Sequence, residues 1–205
     1  YNGTNNVRIT PGNLGGYPFL IDTASLYSGF VPSGLSGNPQ GNTVLGISAS
    51  SSATTGFKNT ALGYGALSGN TTGSYNTAVG NNALSAASTT SYNTAIGHSA
   101  GRLTTGTLNT FLGEQAGEAV TVGQDNVFLG AIAGYQNTST TSNTILIGYN
   151  TTTSPAGASN FIVLGNANHT TLQIPGIQSG ASNGDVLTYN STLGKLELQT
   201  PSGGG

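Results

Sequence analysis

The chain contains no cysteine, methionine or tryptophan, and its 205 residues include only four Lys or Arg and six Asp or Glu. The missing cysteines exclude a disulfide framework and thiol chemistry. Phosphate contacts need clustered cations, so the four scattered ones, Arg8, Lys58, Arg102 and Lys195, argue against nucleic acid as a partner. No apolar run approaches the roughly 20 residues that cross a bilayer, so we expect no membrane insertion.

The two ends of the sequence indicate a piece of a longer protein. The chain begins at Tyr1 rather than at a methionine and ends in PSGGG. Residues 201–205 therefore read as a Gly-rich linker, and we expect a further domain beyond it.

One short phrase recurs through the middle of the sequence. It reads NTALGYG from Asn59, NTAVGNN from Asn76 and NTAIGHS from Asn93. Counting all copies, it begins at Asn42, Asn59, Asn76, Asn93, Asn109, Asn126, Asn143 and Asn160, with spacings of 17, 17, 17, 16, 17, 17 and 17 residues. Such regularity predicts a repeat architecture.

The positions of the repeat differ in chemistry. The second is mostly Thr, the third is apolar and the fourth is a larger aliphatic residue, followed by Gly and then by a column of Ala. In the last two repeats the glycine comes one residue late, at Gly148 and Gly165, and Ile145 and Ile162 hold the third position. The third and fourth positions supply the predicted core columns: Ala61, Leu62, Ala78, Val79, Ala95, Ile96, Phe111, Leu112, Phe128 and Leu129.

A repeat of this length favours one coil of a parallel β-solenoid. Helix-pair repeats need about 33 residues or more, and the dense Gly, Asn and Thr disfavour helix. Short strands separated by Gly-marked corners fit instead. We therefore predict an all-β chain with about eight 17-residue coils over residues 42–176. Because Phe111 and Phe128 replace smaller residues, we also expect the core to widen toward the C-terminus.

The adjacent apolar columns predict an assembly of several copies. Successive side chains of a strand point to opposite faces, so the third and fourth positions cannot share one core. The second column would leave an aliphatic stripe exposed along the rod. Further copies of the chain, related by cyclic symmetry about the rod axis, would cover it. We expect a homo-oligomer.

The run NTALGYGALSGNTTGSYNTAVGNNALSAASTTSYNTAIGHSAG resembles the repeats of trimeric adhesin heads, the YadA-like left-handed β-roll, and related repeats of phage and viral tail fibres and bacterial surface fibres. The resemblance implies a homotrimer of left-handed rolls in an extracellular fibre that binds a cell-surface glycan or receptor, without enzymatic activity or a cofactor. The repeat is longer than is usual in adhesin heads, and no heptad stalk or membrane anchor is seen. These departures favour a virion appendage or free fibre over an anchored protein of the bacterial cell surface.

The flanks carry the remaining candidate sites. Residues 1–41 are interpreted as a cap or connector, and Tyr17, Phe19, Tyr27 and Phe30 within them are the candidate glycan-binding residues, because aromatic rings stack on pyranose rings. Residues 177–200 contain GDVLTYNSTLGKLELQT, whose two alternating runs predict a β-hairpin connector.

Two other function classes remain as alternatives. A polysaccharide-degrading, tailspike-like enzyme needs paired carboxylates, for which Glu114 and Glu118 are the candidates and solvated loop residues the simpler interpretation. An ice-binding solenoid needs paired Thr columns, and only one Thr column is regular here. Of the two histidines, His98 and His169, only His98 on a three-fold axis would bring imidazoles together for a metal. We predict no metal and treat both as surface residues.

Overall fold

The structure is a computed structural model that describes residues 40–137, 140–153 and 156–168, together with the backbone of four flanking strands. The chain divides into two compact units after Asn166. The first contains β1 (Phe19–Asp22), β2 (Ser25–Gly29), β3 (Thr43–Gly46), β4 (Thr60–Leu62), β5 (Thr77–Val79), β6 (Thr94–Ile96), β7 (Thr110–Leu112), β8 (Val127–Leu129), β9 (Ile145–Ile147) and β10 (Ile162–Leu164). The second contains β11 (Val186–Asn190) and β12 (Lys195–Gln199). No helix occurs among the described residues.

The strands β3 to β10 stack in parallel, one strand for each repeat of the sequence. Thr60 lies opposite Thr77 and Ala61 lies opposite Ala78, so residues 17 apart occupy equivalent places on neighbouring coils. Each coil returns to the next strand through turns rather than through a second strand. The expected all-β parallel β-solenoid is confirmed, with about seven turns between the parallel strands β3 to β10 where the sequence suggested about eight coils.

Strands β4 to β9 each direct their middle residue into the coil. Ala61, Ala78 and Ala95 are fully buried, as are the larger Val44, Phe111, Phe128 and Leu146 at equivalent positions. The alanine column that follows the strand-end glycine faces them: Ala49, Ala66, Ala83, Ala100, Ala116 and Ala133 are also fully buried. The core is therefore a narrow column that runs along the solenoid, built from two walls of mostly small side chains.

A buried asparagine ladder closes each coil and joins it to the next. The Nδ2 of Asn93 donates to the carbonyl of Gly106 at the end of the same coil, over 2.9 Å. Its Oδ1 accepts the backbone N–H of Asn109 in the next coil, over 3.0 Å. The same pair of bonds recurs at Asn59 and Asn76. Each ladder asparagine thus satisfies one backbone donor and one backbone acceptor that would otherwise be buried without partners.

The glycine that ends each strand is required by both its backbone and its surroundings. Gly97 has a φ of 140°, which side chains of L-residues rarely adopt. A Cβ placed on it would lie less than 3.0 Å from the carbonyl of Gly113 in the next coil. The coils therefore approach each other most closely at this corner, which explains why no other residue type occupies the column.

In several coils, a larger residue on one wall of the core is matched by a smaller residue on the facing wall. In the coils that carry Ala61 and Ala78, the facing wall carries buried Leu67 and Leu84. In the coil with Phe111, the residue equivalent to Leu67 is Gly117, and a Cβ placed there would collide with the phenylalanine ring. Gly134 stands in the same relation to Phe128. Gly117 and Gly134 make room for the rings of Phe111 and Phe128, and Gly101 in the preceding coil also lies against the Phe111 ring, so these rings do not by themselves require the wider core that the sequence suggested.

The last two repeats have a different register from the one predicted by aligning the repeats by residue identity. Leu146, not Ile145, pairs with Phe128 and is buried. Thr144 takes the place of the ladder asparagine, and its N–H donates to Oδ1 of Asn126 over 3.1 Å. The extra residue therefore lies before the strand rather than after it. In the final repeat, Ile162 likewise pairs with Ile145 and is exposed rather than buried.

The four flanking strands are described by their backbone pairing alone. Strand β2 pairs in parallel with β3, with Leu26 opposite Thr43, so it continues the 17-residue spacing one coil earlier than the predicted start at Asn42. Strand β1 pairs antiparallel with β2. Strands β11 and β12 pair antiparallel, with Val186 opposite Gln199. The residues between β11 and β12 and the predicted end of the repeats at position 176 lie outside the described residues, so the hairpin connector stays a prediction.

Candidate functional site

An exposed row of aliphatic side chains follows the outer face of the strands. We call it the aliphatic stripe: Leu45, Leu62, Val79, Ile96, Leu112, Leu129, Ile147 and Leu164. Val79 is half-buried, and the other seven are 39–55% exposed. The stripe contains one residue from every strand between β3 and β10, because the residue after each buried middle position must point outward.

A second row flanks the stripe on the same face of the sheet. It consists of Thr43, Thr60, Thr77, Thr94 and Thr110, each exposed or half-buried. Beyond Thr110 the row becomes Val127, Ile145 and Ile162. The outer face is therefore part hydroxyl and part aliphatic at its N-terminal end, and wholly aliphatic at its C-terminal end. The Thr column does not run the full length of the sheet.

Four residues at the corner before the strands form a second exposed feature, which we call the aromatic ridge: Phe57, Lys58, Tyr75 and Tyr92. The rings of Tyr75 and Tyr92 are stacked, with centroids 4.9 Å apart and an interplanar angle of 6°. Phe57 meets Tyr75 edge-on, with centroids 5.2 Å apart. The Nζ of Lys58 lies 5.0 Å from the centroid of Tyr75.

The backbone explains why these side chains line up. Lys58, Tyr75 and Tyr92 each directly precede a ladder asparagine and each have a positive φ, between 55° and 63°. The N–H of Tyr75 donates to the carbonyl of Phe57, and that of Tyr92 to the carbonyl of Ser74, so successive coils have the same corner at the same place. Side chains that leave equivalent corners of adjacent coils must stack.

The two candidate catalytic carboxylates, those of Glu114 and Glu118, have different partners in the structure. Glu118 is only 8% exposed, and its Oε1 accepts a hydrogen bond from Nε of Arg102 over 2.6 Å. Its Oε2 accepts from Nε2 of Gln115 over 2.8 Å. Glu114 is exposed and lies beside His98, with 3.9 Å between Oε1 and Nδ1. Glu118 is thus engaged in a link between coils, and the interpretation of both carboxylates as solvated loop residues was wrong for Glu118.

The histidines do not form a metal centre within a single copy of the described chain. His98 is exposed, and its nearest acidic neighbour is Glu114. His169 lies outside the described residues. No group of three or more His, Asp or Glu side chains in the described ranges is placed to hold a metal ion.

The aromatic residues predicted to bind a glycan are only partly covered by the structure. Tyr17 and Phe30 lie outside the described residues. Phe19 begins β1, and Tyr27 lies in β2 opposite Val44. Their glycan-binding role stays a prediction. The aromatic ridge was missed, although a signal was present: Tyr75 and Tyr92 occupy the same position of consecutive repeats, in SYNTA at 74–78 and again at 91–95.

No family model matches the chain, and neither the curated proteins nor the solved structures contain a significant match. None of the described residues forms a helix of the length and hydrophobicity that a membrane span requires.

Proposed function

We propose that this chain is a non-enzymatic segment of a trimeric extracellular fibre, of the kind formed by adhesin heads and by phage or viral tail fibres. In this proposal the solenoid is a shaft of three parallel chains, with the left-handed winding of the rolls it resembles. The fibre carries a region that binds a cell-surface glycan or receptor. The aliphatic stripe is the single observation that carries the proposal.

The stripe favours association because it leaves apolar surface in water along the whole solenoid. Full burial of a Leu, Ile or Val side chain contributes about 1.5–3 kcal/mol, so a side chain left half exposed forgoes about 1 kcal/mol. Summed over the stripe, this amounts to about 8 kcal/mol for each copy. Monomeric soluble proteins rarely leave apolar rows of this extent uncovered.

The shape of the stripe favours a three-fold axis parallel to the solenoid. From β3 to β7 the stripe is one residue wide, between the Thr row and the strand-end glycines, and so resembles an edge more than a broad face. Two broad sheets pack face to face, whereas three narrow edges converge on a common axis. Parallel copies around such an axis bring the same layer of each chain to the same height, so that Leu meets Leu and Ile meets Ile.

Light scattering coupled to size-exclusion chromatography tests this proposal. The chain has a mass of 20.4 kDa, so three copies give about 61 kDa. We expect the trimer mass for the unmodified chain and dissociation for Ile96→Asp, because three carboxylates would meet at one height. Val122→Asp is the matched control, since Val122 is also an exposed aliphatic residue but lies outside the strands. A stable monomer of the unmodified chain would refute the proposal.

A single introduced cysteine distinguishes a three-fold from a two-fold assembly. The chain has no cysteine, so Ile96→Cys supplies a unique thiol. Around a three-fold axis, oxidation joins only two of three thiols, and a denaturing gel shows a dimer band accompanied by monomer. A trivalent maleimide then joins all three chains. Complete conversion to dimer by oxidation, with no trimer formed by the trivalent reagent, would indicate two-fold pairing instead.

A further inference from the structure

The aromatic ridge presents a cation and several rings to solvent without using them to close the core. Phe57 and Tyr75 are each 38% exposed, and Tyr92 is 56% exposed. The ridge is already ordered: the rings contact one another, and Nζ of Lys58 lies 3.4 Å from Oη of Tyr75. A ligand that binds here therefore pays little of the entropy cost of fixing these side chains.

The charge of Lys58 is not neutralised within the described part of the chain. Arg102, the other cation there, is paired with Glu118, whereas Lys58 has no acidic partner among the described residues. Its Nζ lies beside two rings, 5.0 Å from the centroid of Tyr75 and 5.9 Å from that of Phe57. An anion that reached Nζ would gain a charge-assisted hydrogen bond without displacing a carboxylate of the protein.

The combination of features suits one class of ligand. Aromatic surfaces favour the apolar faces of pyranose rings, phenol hydroxyls exchange hydrogen bonds with sugar hydroxyls, and a free ammonium binds a carboxylate. A simple hydrophobic partner would leave Nζ and both phenol groups without partners. A nucleic acid would require more cations than the single free one that the described residues provide.

We propose that Phe57, Lys58, Tyr75 and Tyr92 form a binding site for an acidic saccharide, with Lys58 contacting the sugar carboxylate and the exposed rings contacting the sugar ring. The shared chemistry is a pyranose that bears a carboxylate, which includes both sialic acids and uronic acids. The site deepens the adhesive part of the proposed function and rests on it. It does not require the trimer, because each copy carries a complete ridge.

The ridge and the aliphatic stripe lie at different positions of the repeat. Tyr75 directly precedes the ladder residue Asn76, whereas Val79 of the stripe comes three residues after that ladder residue. Between them the chain passes inward at Asn76, which is fully buried. A surface used for assembly and a surface used for recognition are thus separate on one coil.

Saturation-transfer NMR and calorimetry on the full chain test the site with defined probes. Sialyllactose and a hyaluronan tetrasaccharide supply the two carboxylate sources, and lactose is the neutral counterpart of the first. We expect binding of at least one acidic probe, none of lactose at the same concentration, and weaker binding as salt rises, because exposed charges are screened.

Three substitutions assign the binding to the ridge. Lys58→Gln, which keeps a polar side chain and removes the charge, is expected to weaken binding about tenfold or more, the usual size of a lost charge-assisted hydrogen bond. Tyr92→Ala is expected to weaken it about fivefold through lost ring contact. Tyr149→Ala is the matched control, because Tyr149 is equally exposed but has no ring partner among the described residues, and it should leave binding unchanged.

Two results would overturn the site. One is the absence of saturation transfer to both acidic probes from a folded unmodified chain. The other is equal binding by Lys58→Gln and Tyr149→Ala. Light scattering on the same samples reports assembly separately, so a trimer that binds no acidic saccharide refutes the ridge site alone, and a monomer that binds one refutes only the trimer.

Discussion

Exchanging the large and small residues of one coil should reproduce the core of another. Phe111 and Gly117 hold the places that Ala61 and Leu67 hold in an earlier coil. The backbone is compatible with the exchange, since Leu67 has a φ of 52° and Gly117 a φ of 63°. We therefore expect Phe111→Ala to be strongly destabilising alone and Gly117→Leu to restore most of the loss when the two are combined.

The magnitudes follow from the contacts. Phe111→Ala removes a fully buried ring and should cost about 3–5 kcal/mol. Gly117→Leu alone places a side chain against that ring and should cost about 1–3 kcal/mol or more. The combined chain should lose only about 1–2 kcal/mol, because Phe111 also fills space beside Gly101 that a leucine at 117 does not reach. The coupling free energy between the two sites is then at least about 2 kcal/mol.

Guanidinium unfolding followed by circular dichroism measures these differences. All variants are compared at one protein concentration, because assembly contributes to apparent stability. The matched control combines Phe111→Ala with Gly134→Leu, which alters the glycine beside Phe128 instead. This mismatched pair should be at least as unstable as Phe111→Ala alone. Additive losses for the matched pair, or equal recovery by the mismatched pair, would refute the proposed exchange of volume within a coil.

Two further substitutions test the corners and the ladder. Gly97→Ala should lower the free energy of unfolding by at least about 3 kcal/mol, because both the φ of Gly97 and the nearby carbonyl of Gly113 oppose a Cβ. Gly65→Ser is its control and should cost far less, because serine occupies the same position in two other coils. Asn93→Ala leaves one buried donor and one buried acceptor without partners and should lower the free energy of unfolding by about 2–4 kcal/mol. Asn81→Ala, at an exposed position, is its control and should change that free energy by no more than about 0.5 kcal/mol. Thermal or guanidinium unfolding checks both pairs, and equal losses within either pair would contradict the explanation.

The solenoid was predictable because its signal is repeated. A single NTALG carries little information, but the same phrase at a 17-residue interval fixes which residues must lie at equivalent places on stacked coils. Strand geometry then separates Ala61 from Leu62, because neighbours on a strand face opposite sides. The trimer and the winding direction do not follow from this reasoning, since a single chain satisfies every stacking bond on its own.

Aligning the repeats by residue identity could not predict the register of the seventh repeat, because asparagine occurs at two adjacent positions of the coil. In the ladder it bridges coils through its amide, and directly before the ladder it tolerates a positive φ, which asparagine adopts more readily than most residues. Asn143 occupies that second place, with a φ of 51°, while Thr144 occupies the ladder. Alignment by residue identity assigned Asn143 to the ladder position and so displaced the predicted strand by one residue.

The sequence alone did not show that the large side chain of Phe111 is matched by the absence of a side chain at Gly117. The two residues differ from those of earlier repeats at positions that have no evident relation in the sequence. Phenylalanine enters the third position at Phe111 and Phe128, whereas leucine at the later position is already replaced by Gly101 in the preceding repeat, whose third residue is Ala95. The two positions become neighbours only when the turns fold back across the coil, so their pairing depends on a conformation that the repeat length does not specify. Sequence reasoning considered the third position alone, with Phe111, Phe128, Ile145 and Ile162 in the late repeats, and so expected a wider core.

A stacked repeat separates the requirements of folding from those of function. The ladder asparagine, the strand-end glycine and the buried alanines recur in nearly every coil, because each must satisfy the same contacts with the coils on both sides. The stripe recurs as well, as a surface used along the whole length must. The aromatic ridge does not recur: the same corner carries Lys58, Tyr75 and Tyr92 in three coils and then Leu108 and Asp125. Stacking alone does not require this local composition, which is why the stripe suits assembly and the ridge suits recognition of a ligand.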